Sequence, residues 1–135
     1  MKETIGLGLI FLVGLFGFVA ETKELLTPPR VIKFGNPPSA DAPVKEIEVS
    51  ARKYEFTPSS IEVPARTILR IHLTALDREH GFKIGSTQGE CARFKPGEPL
   101  TVEFYVDKPG EYEFSCCKFC GPGHGKMKGK VIVKQ

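Results

Sequence analysis

Short runs of alternating apolar and polar residues recur from Lys45 to the C-terminus. Ile47 and Val49 alternate with charged residues, as do Ile61 and Val63, then Leu69, Ile71 and Leu73. Val102, Phe104 and Val106 alternate with Glu103 and Tyr105. Tyr112, Phe114 and Cys116 repeat the pattern, and a last run begins at Val131 and includes Ile132. A period of two puts alternate side chains on opposite faces, so these runs predict strands of a half-buried antiparallel sheet. Turn residues separate them at Thr57-Pro58, Lys95-Pro96-Gly97 and Asp107-Lys108-Pro109-Gly110. No later segment has sustained helical spacing and no internal repeat is present. The pattern predicts an all-β domain over residues 45–135, a small β-sandwich or Greek-key barrel.

The N-terminus follows a different rule. Thr4 to Ala20 is an uncharged run of 17 residues between Glu3 and Glu21. As a helix it would reach roughly 26 Å, the low end of what a bilayer core requires. A cleaved signal peptide is the rival reading, but cleavage after Ala20 would leave Phe18 where a small residue is needed. Residues 1–21 are therefore expected to be a membrane anchor, and either reading exports the domain. Lysines and arginines on both sides of the run give no clear orientation. Residues 22–44 hold Pro28, Pro29, Pro37, Pro38 and Pro43, which predicts a semi-rigid stalk.

Composition narrows the class. A chain of 135 residues with 41% hydrophobic and 26% charged residues is not disordered throughout and has room for one modest domain. About 90 residues after the stalk make a small core, which a bound metal would help to stabilise. A net charge of +3, from 19 basic and 16 acidic residues, is too weak to indicate nucleic acid. Four cysteines are too few for a disulfide scaffold. Three of them, Cys116, Cys117 and Cys120, lie within five residues, which points to metal or redox chemistry.

Residues 116–129 read CCKFCGPGHGKMKG, and within them Cys116, Cys120, His124 and Met127 have the spacing C-x3-C-x3-H-x2-M. Thiolate and thioether are soft donors suited to copper(I), imidazole suits both copper oxidation states, and Met is the usual weak axial ligand. The glycines between them allow a tight loop to turn these side chains toward one point. A disulfide or buried thiol pair with an incidental His and Met would leave that placement unexplained. A structural zinc site from Cys116, Cys117, Cys120 and His124 is the other alternative, weakened because Met is a poor zinc ligand. His80, in Asp77-Arg78-Glu79-His80-Gly81-Phe82, sits at a break between two β runs, where a side chain can face a loop-built site. A lone loop His is usually solvated; the cysteine cluster raises His80 to a candidate ligand. His72 is out of phase with its apolar neighbours and is expected to face solvent.

The stretches IEVPARTILRI, HGFKI, PGE, KPGEYEFSC and CGPGHGKMKGKVIV make residues 47–134 resemble the copper-binding cupredoxin domain of cytochrome c oxidase subunit II. Similar short loops occur in the CuA domain of nitrous oxide reductase. The resemblance implies a cupredoxin-like Greek-key β-sandwich behind a single N-terminal membrane helix, as in bacterial subunits II with one anchor. It also implies a binuclear CuA site with two copper ions. Cys116 and Cys120 would bridge the coppers, His80 and His124 would each bind one, and Met127 and the Lys118 carbonyl would complete the coordination. The implied role is electron transfer from a cytochrome or other redox protein to an oxidase core through subunit I, on the extracytoplasmic face of the membrane. In that role the chain is an electron-entry subunit of an oxidoreductase complex rather than an enzyme by itself. A stand-alone cupredoxin electron carrier and a copper-delivery protein are the alternatives.

The chain departs from that family in several places. It has no Trp, and Lys118 stands where an acidic residue is common. Cys117 and Cys91 are additional thiols that could pair in an oxidising compartment, although nothing in the sequence places them close. Lys118, Lys126, Lys128 and Lys130 lie in or just after the copper loop, with no acidic residue between Ser115 and Gln135. Such a basic rim predicts a partner that is acidic or that docks through an apolar patch.

Overall fold

The structure is a computed structural model and describes residues 30–37, 39, 41–85 and 91–135. The predicted anchor lies outside these residues. Among the described residues no helix is long and apolar enough to cross a membrane.

Two five-stranded sheets face each other. One is ordered β1-β8-β5-β2-β3 and the other β4-β10-β9-β6-β7. The strands are β1 Arg30–Phe34, β2 Val44–Arg52, β3 Glu55–Thr57, β4 Ser60–Pro64, β5 Thr67–Ala75, β6 His80–Ile84, β7 Ala92–Phe94, β8 Leu100–Val106, β9 Gly110–Ser115 and β10 Lys128–Lys134. A single 3-10 turn, His124–Lys126, interrupts the described β structure. The expected all-β sandwich is therefore present.

Alternation explains the central strand. Along β5, Leu69, Ile71, Leu73 and Ala75 are buried between the sheets, while Arg70, His72 and Thr74 point outward. On that outer face Arg70 reaches Glu46 on β2 at 2.7 Å and Glu103 on β8 at 3.2 Å, tying three neighbouring strands. His72 is half-buried rather than free in solvent, because its Nδ1 lies 3.1 Å from Thr101 Oγ1 across the β5–β8 ladder. Between the sheets Phe56, Phe82 and Phe114 form an aromatic centre, with ring centroids 5.2 to 5.9 Å apart. Edge and offset ring contacts of this kind add to area burial.

Two features depart from the sequence reading. The sheets are mixed, since β1 runs parallel to β8, β2 to β5 and β4 to β10. The proline-rich stretch expected to be a stalk also contains β1, which extends the first sheet at its edge and buries Phe34. Pairing with β8 supplies the hydrogen bonds that a free stalk would leave to water.

Candidate metal centre

β9 ends at Ser115, and the chain turns through residues 116–127 before re-entering the sheet as β10. The Cys116 N–H donates to the Met127 carbonyl at 3.1 Å, so the loop closes where it opened. Gly121 takes φ +139°, which an L side chain rarely adopts. Behind the loop lies the Tyr54 ring, its hydroxyl 2.5 Å from where a Cβ on Gly121 would sit, with the ring equally close over Gly123. The GPG sequence thus lets Tyr54 pack flat against the loop.

The loop converges its sulfur atoms. Cys116 and Cys120 are free, buried thiols with Sγ atoms 3.8 Å apart. Cys120 Sγ also lies 3.8 Å from His124 Nδ1 and 3.8 Å from Met127 Sδ. The Lys118 carbonyl oxygen accepts from Cys116 Sγ at 3.1 Å. His80, Cys116 and Cys120 each bring one donor atom within 4.8 Å of the others. All six residues singled out from the sequence are therefore gathered at one end of the sandwich. Lys118 and His124 are the half-buried members, and the His124 ring meets Phe119, which is 68% exposed.

His80 opens β6 and is fully buried, not solvated in a loop. Its Nε2 lies 2.7 Å from Asp77 Oδ1. Asp77 also accepts the Lys53 and Arg78 backbone N–H groups, each at 2.8 Å. Burial pushes the Asp77 carboxyl up, but the Lys53 amide, the His80 ring and the Arg78 amide together hold it below the usual carboxylate range. An ionised carboxylate can only accept, so Nε2 carries the proton and a neutral ring leaves Nδ1 with a bare lone pair. That Nδ1 is buried with no partner. A buried unpaired acceptor is costly, and its ring is the one that joins the two sulfur donors in the cluster. A soft metal ion fits the arrangement: it would take the Nδ1 lone pair and the two thiols. In the metal-free chain burial and the neighbouring Cys116 push the Cys120 thiol up to about 11. It therefore holds its proton at neutral pH, and metal binding must expel that proton.

Two supporting features, Asp77 and Tyr54, were not read from the sequence. The pairing of Cys91 with Cys117, raised there only as a possibility with nothing to place them close, is present as a disulfide with Cα atoms 5.7 Å apart. Asp77 carried a local signal, because it lies three residues before His80. The other two are contacts between distant segments.

A family model for the cupredoxin-like domain matches residues 9–133. Cytochrome c oxidase subunit 2 of Thermus thermophilus is 35% identical over 89 residues, which are 66% of this chain and 65% of that protein. Against the same subunit from a second strain of that species, the match spans 52% of the relative's length. Among solved structures, a heme-copper terminal oxidase dimer matches with TM-score 0.60 and 27% identity, covering 85% of this chain and 84% of the other. The periplasmic domain of cytochrome oxidase subunit II from Bradyrhizobium japonicum has the same fold, with TM-score 0.60, 19% identity and coverage of 74% and 88%. On sequence and on fold, the chain belongs to the cupredoxin-like family, with a domain like that of cytochrome c oxidase subunit 2.

Proposed function

We propose that the chain is a copper-binding electron-transfer protein with a binuclear CuA site, acting as the electron-entry subunit of a haem-copper oxidase. The observation that carries this reading is the pair of buried Cys116 and Cys120 thiols 3.8 Å apart, with a His80 ring nitrogen within 4.8 Å of both. A mononuclear blue-copper site uses one thiolate. Two thiolates set this close would hold a copper pair together with the His80 and His124 imidazoles. Met127 and the Lys118 carbonyl would supply the weaker donors. The likeness to oxidase subunit 2 supports the same assignment.

When bound, such a copper pair supplies one-electron transfer without bond chemistry. The protein's part is to hold the donors still. β6 carries His80, the end of β9 carries Cys116, and the loop back to β10 carries the rest. Asp77 orients the His80 ring, and the buried Cys116, Cys120 and Met127 keep water from the sulfur atoms. His124, half-buried beside exposed Phe119, offers a path to the surface for an incoming electron. In this reading the domain stands on the extracytoplasmic face, held by residues 1–21 as a membrane anchor. It receives electrons from a cytochrome and passes them to oxidase subunit I.

Copper reconstitution of the full chain tests the proposal. The expected result is two coppers per chain and an electron spin spectrum of one electron shared over two equivalent nuclei. One copper per chain, or zinc retained in preference to copper, would overturn it.

A further inference from the structure

The two segments that supply the donors are joined by little backbone pairing. The β6–β9 ladder pairs Ile84↔Phe114 and Lys83↔Ser115, with a Gly85 N–H to Glu113 carbonyl bond beyond it, and toward the metal centre it ends at Lys83↔Ser115. Continued in the same antiparallel register, it would set Gly81 opposite Cys117 and His80 opposite Lys118. These positions matter most to the metal centre, and at them the disulfide replaces the ladder.

Cys117 lies between the Cys116 thiol and the Lys118 carbonyl. Its partner Cys91 immediately precedes β7, which pairs with β6 through His80↔Phe94 and Gly81↔Arg93. The disulfide rests on the backbone between. A Cβ on Gly81 would sit 2.5 Å from Cys91 Sγ, 2.7 Å from Cys117 Sγ and 2.8 Å from the Lys118 nitrogen. Such distances leave no room for a side chain, so Gly81 is the residue that admits the bridge. The bond also settles which sulfur atoms remain as donors. Of three cysteines within five residues, Cys117 is oxidised, and only Cys116 and Cys120 stay free.

We propose that the Cys91–Cys117 disulfide is a positioning element of the metal centre. It clamps the ligand loop to β6 and β7 across Gly81, fixes the Lys118 carbonyl beside Cys116, and removes Cys117 from competition for metal. Its metal-directed part rests on the copper reading above; the clamp itself does not.

The full chain is compared with three variants: Cys91→Ser/Cys117→Ser, Cys91→Ser alone and Gly81→Ala. Copper affinity is measured by chelator competition, the centre by its optical and electron spin spectra, and the loop by amide hydrogen exchange without metal. The double variant is expected to bind copper about tenfold more weakly, in the range found when groups supporting metal ligands are removed. Its spectrum should change, and amides of residues 116–120 should exchange faster. Cys91→Ser frees the Cys117 thiol and is expected to add a second copper species. A double variant with the native affinity, spectrum and loop exchange, altered only in melting temperature, would overturn the proposal. Should that variant fail to fold, Gly81→Ala keeps the cross-link while crowding it, and a native spectrum there would overturn it equally. If the parent chain takes up no copper, the copper reading fails, and loop exchange alone decides whether the clamp exists.

Discussion

Asp77 shows how much one side chain can decide. Its carboxylate accepts hydrogen bonds from His80 Nε2–H and two backbone N–H groups, which fixes the ring and leaves Nδ1 with the free lone pair. Asp77→Asn keeps the shape but removes the charge, so nothing obliges Nε2 to hold the proton. The expected outcome is a chain that folds and binds copper about 10- to 100-fold more weakly, read by chelator competition. Met127→Leu is milder. It keeps the buried volume and removes a weak donor, so two coppers should remain while the optical spectrum shifts. Loss of the second copper in this variant would contradict the ligand roles proposed for Cys116 and Cys120.

At the level of elements, alternation reveals strands with one wet face and misses the others. β2, β4, β5, β8, β9 and β10 are legible as period-two runs. β6 is not: His80, Gly81, Phe82 and Ile84 are all buried, so its apolar residues do not alternate. β7 has three residues, and β1 lies among prolines with Val31 46% exposed. Parallel pairing leaves no mark on alternation. Cys116, Cys120, His124 and Met127 were legible because spacing within one loop is local and their chemistry is coherent. His80 rested on its place at a break between two β runs, and the Lys118 carbonyl on the family resemblance alone. The Cys91–Cys117 bond was not legible, since it joins residues 26 apart through contacts that only the folded sheet creates. β1 carries its own expectation. A chain begun at Lys45 loses β1, exposing the β8 edge and the surface buried against Phe34. It should unfold about 1.5–3 kcal/mol more easily than a chain begun at Thr22, the value of one buried large apolar side chain. Urea titration of both pieces measures this.

For the molecule as a whole, the surface around the site is less basic than the loop sequence implies. Lys128 and Lys130 face Glu113 and Glu111 across the β9–β10 ladder, each at 3.4 Å. Exposed pairs of this kind add little stability, but they cancel charge locally. Lys118 and Lys126 remain near the metal centre, along with the exposed Phe119 ring against His124. Two positive charges around an apolar ring suit a partner that docks through an apolar patch with an acidic margin. Electron transfer from an acidic cytochrome should therefore slow modestly as salt is raised, and transfer from a basic one should quicken. Stopped-flow rates across ionic strength test both, and a basic donor that reacts faster at low salt would contradict this surface reading.

The chain holds one disulfide and, next to it in sequence, two free thiols that, on the copper reading, must not become a second. Joining Cys91 to Cys117 removes two electrons, and the same oxidant would remove two more from Cys116 and Cys120, whose sulfur atoms are 3.8 Å apart. Maturation is therefore a matter of order. Either a thiol reductant restores the inner pair after the outer bond has formed, or metal occupies the inner pair before the oxidant does. The outer cysteines are half-buried and the inner pair is buried, so a reductant would reach the outer bond first. Burial thus favours the second order, in which metal occupies the inner pair before the oxidant does.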